Sequence, residues 1–145
     1  MTSVNRWVVP EEQHAPLLLG FLLHKAREAF AGEDWDGLRQ SHLRVLISVP
    51  APGITITELA ERVGMTKQGC GQFVGQLVDG GYLTIARDPA DRRTRIVQRT
   101  DAGRQMAKDA TARNRQIEQE WAQTVGAKQY AAFRRVLQQL AEAED

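Results

Sequence analysis

The 145-residue chain holds one cysteine, Cys70, which excludes a disulfide framework and a cysteine-rich zinc site within the chain. It also lacks a long apolar run. The nearest thing to one is Leu17-Leu18-Leu19-Gly20-Phe21-Leu22-Leu23, far short of the ~20 residues a membrane-spanning helix needs. That stretch does not read as a secretion signal either. Ala29-Phe30-Ala31 imitates a cleavage site, but Glu11 and Glu12 stand where positive charge is required, and Lys25, Arg27 and Glu28 intervene. A soluble, cytoplasmic protein is expected. Catalytic signatures are missing too: there is no nucleophile–base pattern, and Gly69-Cys70-Gly71 lacks the lysine and spacing of a phosphate loop. His14, His24 and His42 are read as standing apart from one another and from carboxylates at helical spacing, so as caps or core rather than metal ligands. No enzyme activity, metal or cofactor is expected. Neither an internal repeat nor a linker appears, and the length suits one domain.

What the chain does have is an uneven charge distribution. Its formal net charge of +1 hides a basic middle, with eight Lys/Arg against four Asp/Glu over residues 62–104, between acidic flanks. A nucleic-acid surface needs such a footprint. Before and within this region lie two helical patterns. Thr55-Ile56-Thr57-Glu58 has capping-box spacing, and Ile56, Leu59, Ala60 and Val63 form one apolar stripe behind it. Gly64 supplies a stop. Thr66 then caps a second helix with Cys70, Phe73, Val74, Leu77 and Val78 on its apolar face. The opposite face carries Lys67, Gln68, Gln72 and Gln76, side chains long enough to reach base edges and phosphates. Two helices joined by a short glycine-containing turn form a helix-turn-helix pattern. A hairpin follows: Tyr82–Ile85 and Ile96–Val97 are rich in β-formers, and Asp88-Pro89-Ala90-Asp91 between them is turn chemistry. Arg87, Arg92, Arg93, Arg95 and Arg99 crowd this ribbon. The bland alternative is a solvated hairpin whose arginines pair with its own aspartates.

Residues 38–104 resemble the winged helix-turn-helix of the MarR (multiple antibiotic resistance regulator) family. The matching strings are Leu43-Arg44-Val45-Leu46, Thr57-Glu58-Leu59-Ala60, Leu77 with Gly81-Tyr82-Leu83, Asp88-Pro89-x-Asp91-Arg92-Arg93 and Thr100-Asp101-Ala102-Gly103. The resemblance implies a homodimer whose second helix enters the DNA major groove. Arg93, with Arg92 and Arg95 nearby, would enter the flanking minor groove, and Asp91 would hold that arginine in position. The implied DNA-binding set is Thr66, Lys67, Gln68, Gln72, Gln76, Arg92, Arg93 and Arg95. The chain departs from the family at Gly69, Gly71 and Gly75, where Ser, Thr or Ala is common. Each mid-helix glycine costs about 1 kcal/mol relative to alanine. A basic residue often found near Ile85 is also missing.

The flanking segments suit dimerisation. A helix from about His14 to Phe30 is apolar nearly all round and should be buried on more than one side. Residues 101–124 form a long polar helix with a sparse stripe of Met106, Ala110, Ile117 and Trp121, and a last helix carries Tyr130, Phe133, Val136, Leu137 and Leu140. First and last segments packing across a two-fold axis would bury what one subunit cannot. Residues 32–37 form the likeliest flexible loop. The expected architecture is mainly α with a small β-hairpin wing: one domain over 1–145, a winged helix-turn-helix at 38–100, and dimerisation helices in 1–37 and 101–145. Trp7 and Trp121 are read as packing residues. Family members often answer small aromatic effectors, and His24, Trp35 and His42 are the residues here that would line such a pocket. Cys70 sits on an apolar stripe and is read as a small hydrophobe rather than an oxidant sensor. The function expected is that of a sequence-specific, ligand-responsive repressor on a pseudo-palindromic operator with half-sites ~10 bp apart. The alternative is a winged-helix module for protein–protein contact, with no specific DNA binding.

Overall fold

The computed structural model describes residues 10–144. Trp7 and the rest of residues 1–9 lie outside them. A short 3-10 turn, Pro10–Glu12, leads into α1 (Ala15–Ala31), followed by α2 (Gln40–Ile47), β1 (Ile54–Thr55), α3 (Ile56–Val63), α4 (Lys67–Asp79), β2 (Leu83–Arg87), β3 (Arg95–Arg99), α5 (Asp101–Val125) and α6 (Ala127–Glu142). The chain divides into two compact units, residues 1–107 and 108–145.

In the first unit the apolar stripes converge as their spacing requires. Leu59, Ala60 and Val63 of α3 and Cys70, Val74 and Leu77 of α4 are buried with Val45, Leu46, Val49, Leu83 and Val97. The helix ends are capped by the expected residues. Thr55 Oγ1 accepts the Glu58 amide at 3.1 Å, and Thr66 Oγ1 accepts the Gly69 amide at 3.0 Å. Gly64 ends α3 in the left-handed region, at φ +70°, where a side chain would be strained. Two arginines tie up loose carbonyls: the Arg44 guanidinium donates to the Val63 oxygen and that of Arg62 to the Ser48 oxygen at 3.3 Å.

The wing has more strands than the pattern suggested. Ile54–Thr55, read as the entry to a helix, also pairs antiparallel with Val97 and Ile96. The sheet is therefore three-stranded in the order β1-β3-β2. Val97 is fully buried and faces Ile54 on one side and Ile85 on the other. At its base, Thr100 Oγ1 donates to the Gly81 oxygen at 2.6 Å and accepts the Gly103 amide at 3.0 Å, so one hydroxyl ties the wing to the start of α5.

Residues 32–37 are pinned rather than loose. The Trp35 ring stacks on Phe30 with centroids 4.3 Å apart, and its Nε1–H donates to the Phe30 oxygen at 2.7 Å. Asp36 has φ +56° and accepts the Tyr82 hydroxyl. This hydrogen bond first, and burial second, push the Tyr82 pKa up.

His14 caps α1 as expected, its Nδ1 accepting the Leu17 amide at 3.2 Å. His24 does have a carboxylate at helical spacing: Glu28, one turn on, lies 3.2 Å from its Nε2. Within the single chain, α1 buries Ala26 and Phe30. Leu18, Leu19 and Leu23 remain 39%, 41% and 46% exposed.

In the second unit Gly126, at φ +94°, separates α5 from α6. The Tyr130 hydroxyl donates to Glu118 Oε2 at 2.6 Å, and Arg134 Nε lies 3.1 Å from the same oxygen. Burial, then this hydrogen bond, push the Tyr130 pKa up to about 12. Trp121 is half-buried. No residue of α6 is fully buried, and Val136, Leu137 and Leu140 are 50%, 41% and 70% exposed.

Candidate nucleic-acid interface and adjoining cavity

Helix α4 presents the polar face its spacing dictates. Lys67, Gln68, Gln72 and Gln76 are all exposed, and Thr66 stands at the cap. The three glycines differ in what surrounds them. A Cβ at Gly71 or Gly75 would meet nothing within 4 Å, whereas one at Gly69 would lie 3.0 Å from Thr66 Oγ1. Packing therefore does not require glycine at 71 or 75.

Gln76 has a second engagement. The His42 ring is buried, and its Nδ1 accepts the Arg39 amide at 3.1 Å. That fixes the ring hydrogen on Nε2, which donates to Gln76 Oε1. Phe73 meets the same imidazole edge-on at 4.9 Å. The polar face of α4 is thus fastened to the start of α2 by a histidine whose polar atoms are both used.

The wing tip is a self-organised turn. Asp88 Oδ1 accepts the Ala90 amide at 2.9 Å. Asp91 Oδ1 accepts the Arg93 amide at 3.0 Å, and its Oδ2 accepts the Thr94 hydroxyl at 3.1 Å. Asp91 accordingly orders Arg93 through its backbone, not by gripping the guanidinium. Asp91 spends both carboxylate oxygens on the turn, and Asp88 spends its Oδ1 there. Among the described residues, no ion pair holds Arg92, Arg93 or Arg95, and all three are exposed. The turn therefore keeps its shape without neutralising its cations, contrary to the paired-hairpin alternative.

Between the wing and the helices runs an open cleft of about 370 Å³. Its walls include Thr55 and Thr57 at the start of α3, Lys67 at the start of α4, and Arg93, Thr94 and Arg95 of the wing. A second cavity, of about 440 Å³, lies where α1 ends and α2 begins. Phe30, Trp35 and Phe73 supply aromatic walls, and the charged lining is mixed, with Arg27 and Arg39 beside Glu33. Of the three residues expected around an effector, Trp35 lines this cavity. His24 is on the surface with Glu28, and His42 stands behind Phe73 rather than in the lining. Phe30, Phe73, Arg27 and Arg39 were not singled out for this role; only their approach in space joins them. Cys70 is fully buried, and burial pushes its thiol pKa up, so little of the reactive thiolate forms.

Residues 37–94 match the model of the MarR family. Among solved structures, MarR superposes with a TM-score of 0.82 at 22% identity, covering 97% of this chain and 94% of that one. PcaV, a transcriptional regulator from Streptomyces coelicolor solved with its natural ligand, gives 0.75 at 22% identity over the whole of both chains. The repressor CouR from Rhodococcus jostii, bound to a 23-mer DNA duplex, gives 0.76 at 23% identity, covering 89% of this chain and 93% of that one. At these identities the likeness establishes the fold. No curated protein matches the sequence.

Proposed function

We propose, from the match of residues 37–94 to the MarR family model, that the chain is a cytoplasmic, sequence-specific DNA-binding transcriptional regulator of that family. It acts as a homodimeric repressor that a small effector releases from its operator. The observation that carries this reading is the set of exposed, unpaired arginines on an ordered wing, joined through one cleft to the polar start of α4. Helix α4 reads the major groove through Gln68 and Gln72. Lys67 and the wing arginines meet the charged backbone and the minor groove. Gln76 shares its side chain with His42, so its part in base reading is smaller than that of Gln68 or Gln72. Two-fold pairing is supported by the open leucines of α1 and the open apolar row of α6, which a second copy covers.

The effector is a small aromatic molecule seated against Trp35, in a cavity whose lining also holds Arg27, Arg39 and Glu33. Phe73 is both a wall of that cavity and a residue of α4. An occupant therefore bears on the recognition helix and shifts the dimer toward the shape that misfits the groove. No helix among the described residues is long and apolar enough to cross a membrane.

Selection of binding sites from a random duplex pool at low salt tests the reading. Enrichment of an inverted repeat with half-sites about one helical turn apart is expected. Retention without enrichment would reduce the activity to charge-driven binding. No retention would favour a protein partner instead.

A further inference from the structure

We propose that His42, a buried residue of α2, sets the base preference of Gln76 on α4. It holds the Gln76 amide oxygen and leaves that side chain a donor-only reader, matched to guanine rather than adenine. This role rests on the DNA-binding reading and deepens it. His42 acts through Gln76 and is a positioning residue.

The polarity of the arrangement begins at the backbone. His42 is the third residue of α2, where the free amides of a helix start require acceptors. The Arg39 amide donates to His42 Nδ1 at 3.1 Å, so the ring hydrogen lies on Nε2. Nε2 can then donate but not accept, and its partner has to be an acceptor. Gln76 meets it with Oε1, the one atom of that amide able to accept. The ring is held in this sense by burial and by Phe73, edge-on at 4.9 Å.

Gln76 is exposed on the polar face of α4, one turn beyond Gln72. The oxygen and nitrogen of a planar amide point apart. With Oε1 turned inward to His42, Nε2 is turned outward, and it donates to no other group among the described residues. A glutamine with both atoms free pairs bidentately with adenine, accepting from N6 and donating to N7. Gln76 cannot form that pair while its oxygen is held. It can donate to guanine, whose N7 and O6 are both acceptors, and it offers nothing to the N4 donor of cytosine. Among the described residues Gln68 and Gln72 have no such tether, so adenine stays open to them.

The test repeats the random-duplex selection with the full chain and four variants, each checked by thermal melting. Gln76→Ala marks the base position concerned, because preference should vanish at one position per half-site. There the parent protein should favour guanine over adenine by about fivefold, the worth of one hydrogen bond. His42→Gln should keep guanine: its oxygen can accept the Arg39 amide as in a capping box, which leaves its nitrogen to donate to Gln76. His42→Glu supplies acceptors alone, so the Gln76 amide must turn over and the preference pass to adenine or cytosine. His42→Met gives Gln76 no partner and should shift the preference to adenine, which decides the matter if His42→Glu does not fold. A merely structural His42 would lower affinity in these variants and leave base preference unchanged. That result overturns the proposal while DNA binding stands, as does a parent preference for any base but guanine, or a Gln76→Ala protein with the parent's preferences throughout. Failure of the parent protein to retain any duplex overturns the underlying reading as well.

Discussion

Glycines that look alike in the sequence have opposite physical roles. At Gly71 and Gly75 there is open space for a methyl group, so alanine should stabilise the protein by about 1 kcal/mol at each site through helix propensity alone. At Gly69 the new methyl would press on the hydroxyl that caps α4, and the gain should be smaller. Gly103 is the reverse: a Cβ there would collide with the Tyr82 carbonyl oxygen, because α5 starts hard against the base of the wing. Gly103→Ala should therefore cost about 1–3 kcal/mol as an overpacked contact. Urea melts of the four variants check the set, and a stabilising Gly103→Ala would contradict the geometry. Tyr130 gives a residue-scale prediction in pH. Its pKa is raised to about 12 in the folded protein, against about 10 unfolded. The folded state thus holds this proton more tightly, and its contribution is fully present below pH ~10 and lost as pH rises toward 12. Tyr130→Phe should flatten that alkaline limb of a stability–pH curve.

At the scale of elements, the wing turn separates two effects with opposite signs. Asp91→Ala removes a negative charge, which by electrostatics alone would tighten DNA binding. It also removes the acceptors of the Arg93 amide and the Thr94 hydroxyl, leaving the tip to be ordered on binding. We expect ordering to win, with affinity falling several-fold by the ~1 kcal/mol typical of a lost hydrogen bond. A tighter complex would mean the turn is rigid without Asp91. The same element shows what was legible in the sequence. Turn residues, helix caps and apolar stripes act over a few positions, so α3, α4, the hairpin and the start of α5 could be read directly. Strand β1 could not, because two residues have no period and Ile54–Thr55 are a strand only by pairing with residues 96 and 97, some forty positions on. His42 was likewise opaque: its partners are Arg39, Phe73 and Gln76, and two of these come from another helix. The cavity beside Trp35 escaped for the same reason, since four of its walls, Phe30, Phe73, Arg27 and Arg39, are spread over three separate segments of the chain.

For the whole molecule, the decisive property is what a single chain leaves uncovered. Leu140 is 70% exposed and Leu137 41%, so one subunit gains little from either. A charged residue at those positions should barely disturb a lone chain, since surface substitutions usually change stability by less than about 0.5 kcal/mol. In a dimer that buries α6, the same change would put an unpaired charge into an apolar interface, where the cost is several times larger. Leu137→Glu and Leu140→Glu should therefore yield a folded monomer, seen as a halved mass in light scattering with the helical circular dichroism preserved. DNA binding should then fall from two half-sites to one, with the salt slope roughly halved because half the phosphates are contacted. If the doubly charged variant stays dimeric, α6 is plain surface and the two-fold axis must run through other elements. If it unfolds, the helices of one chain are not stable without their partner, and folding and dimerisation are a single equilibrium.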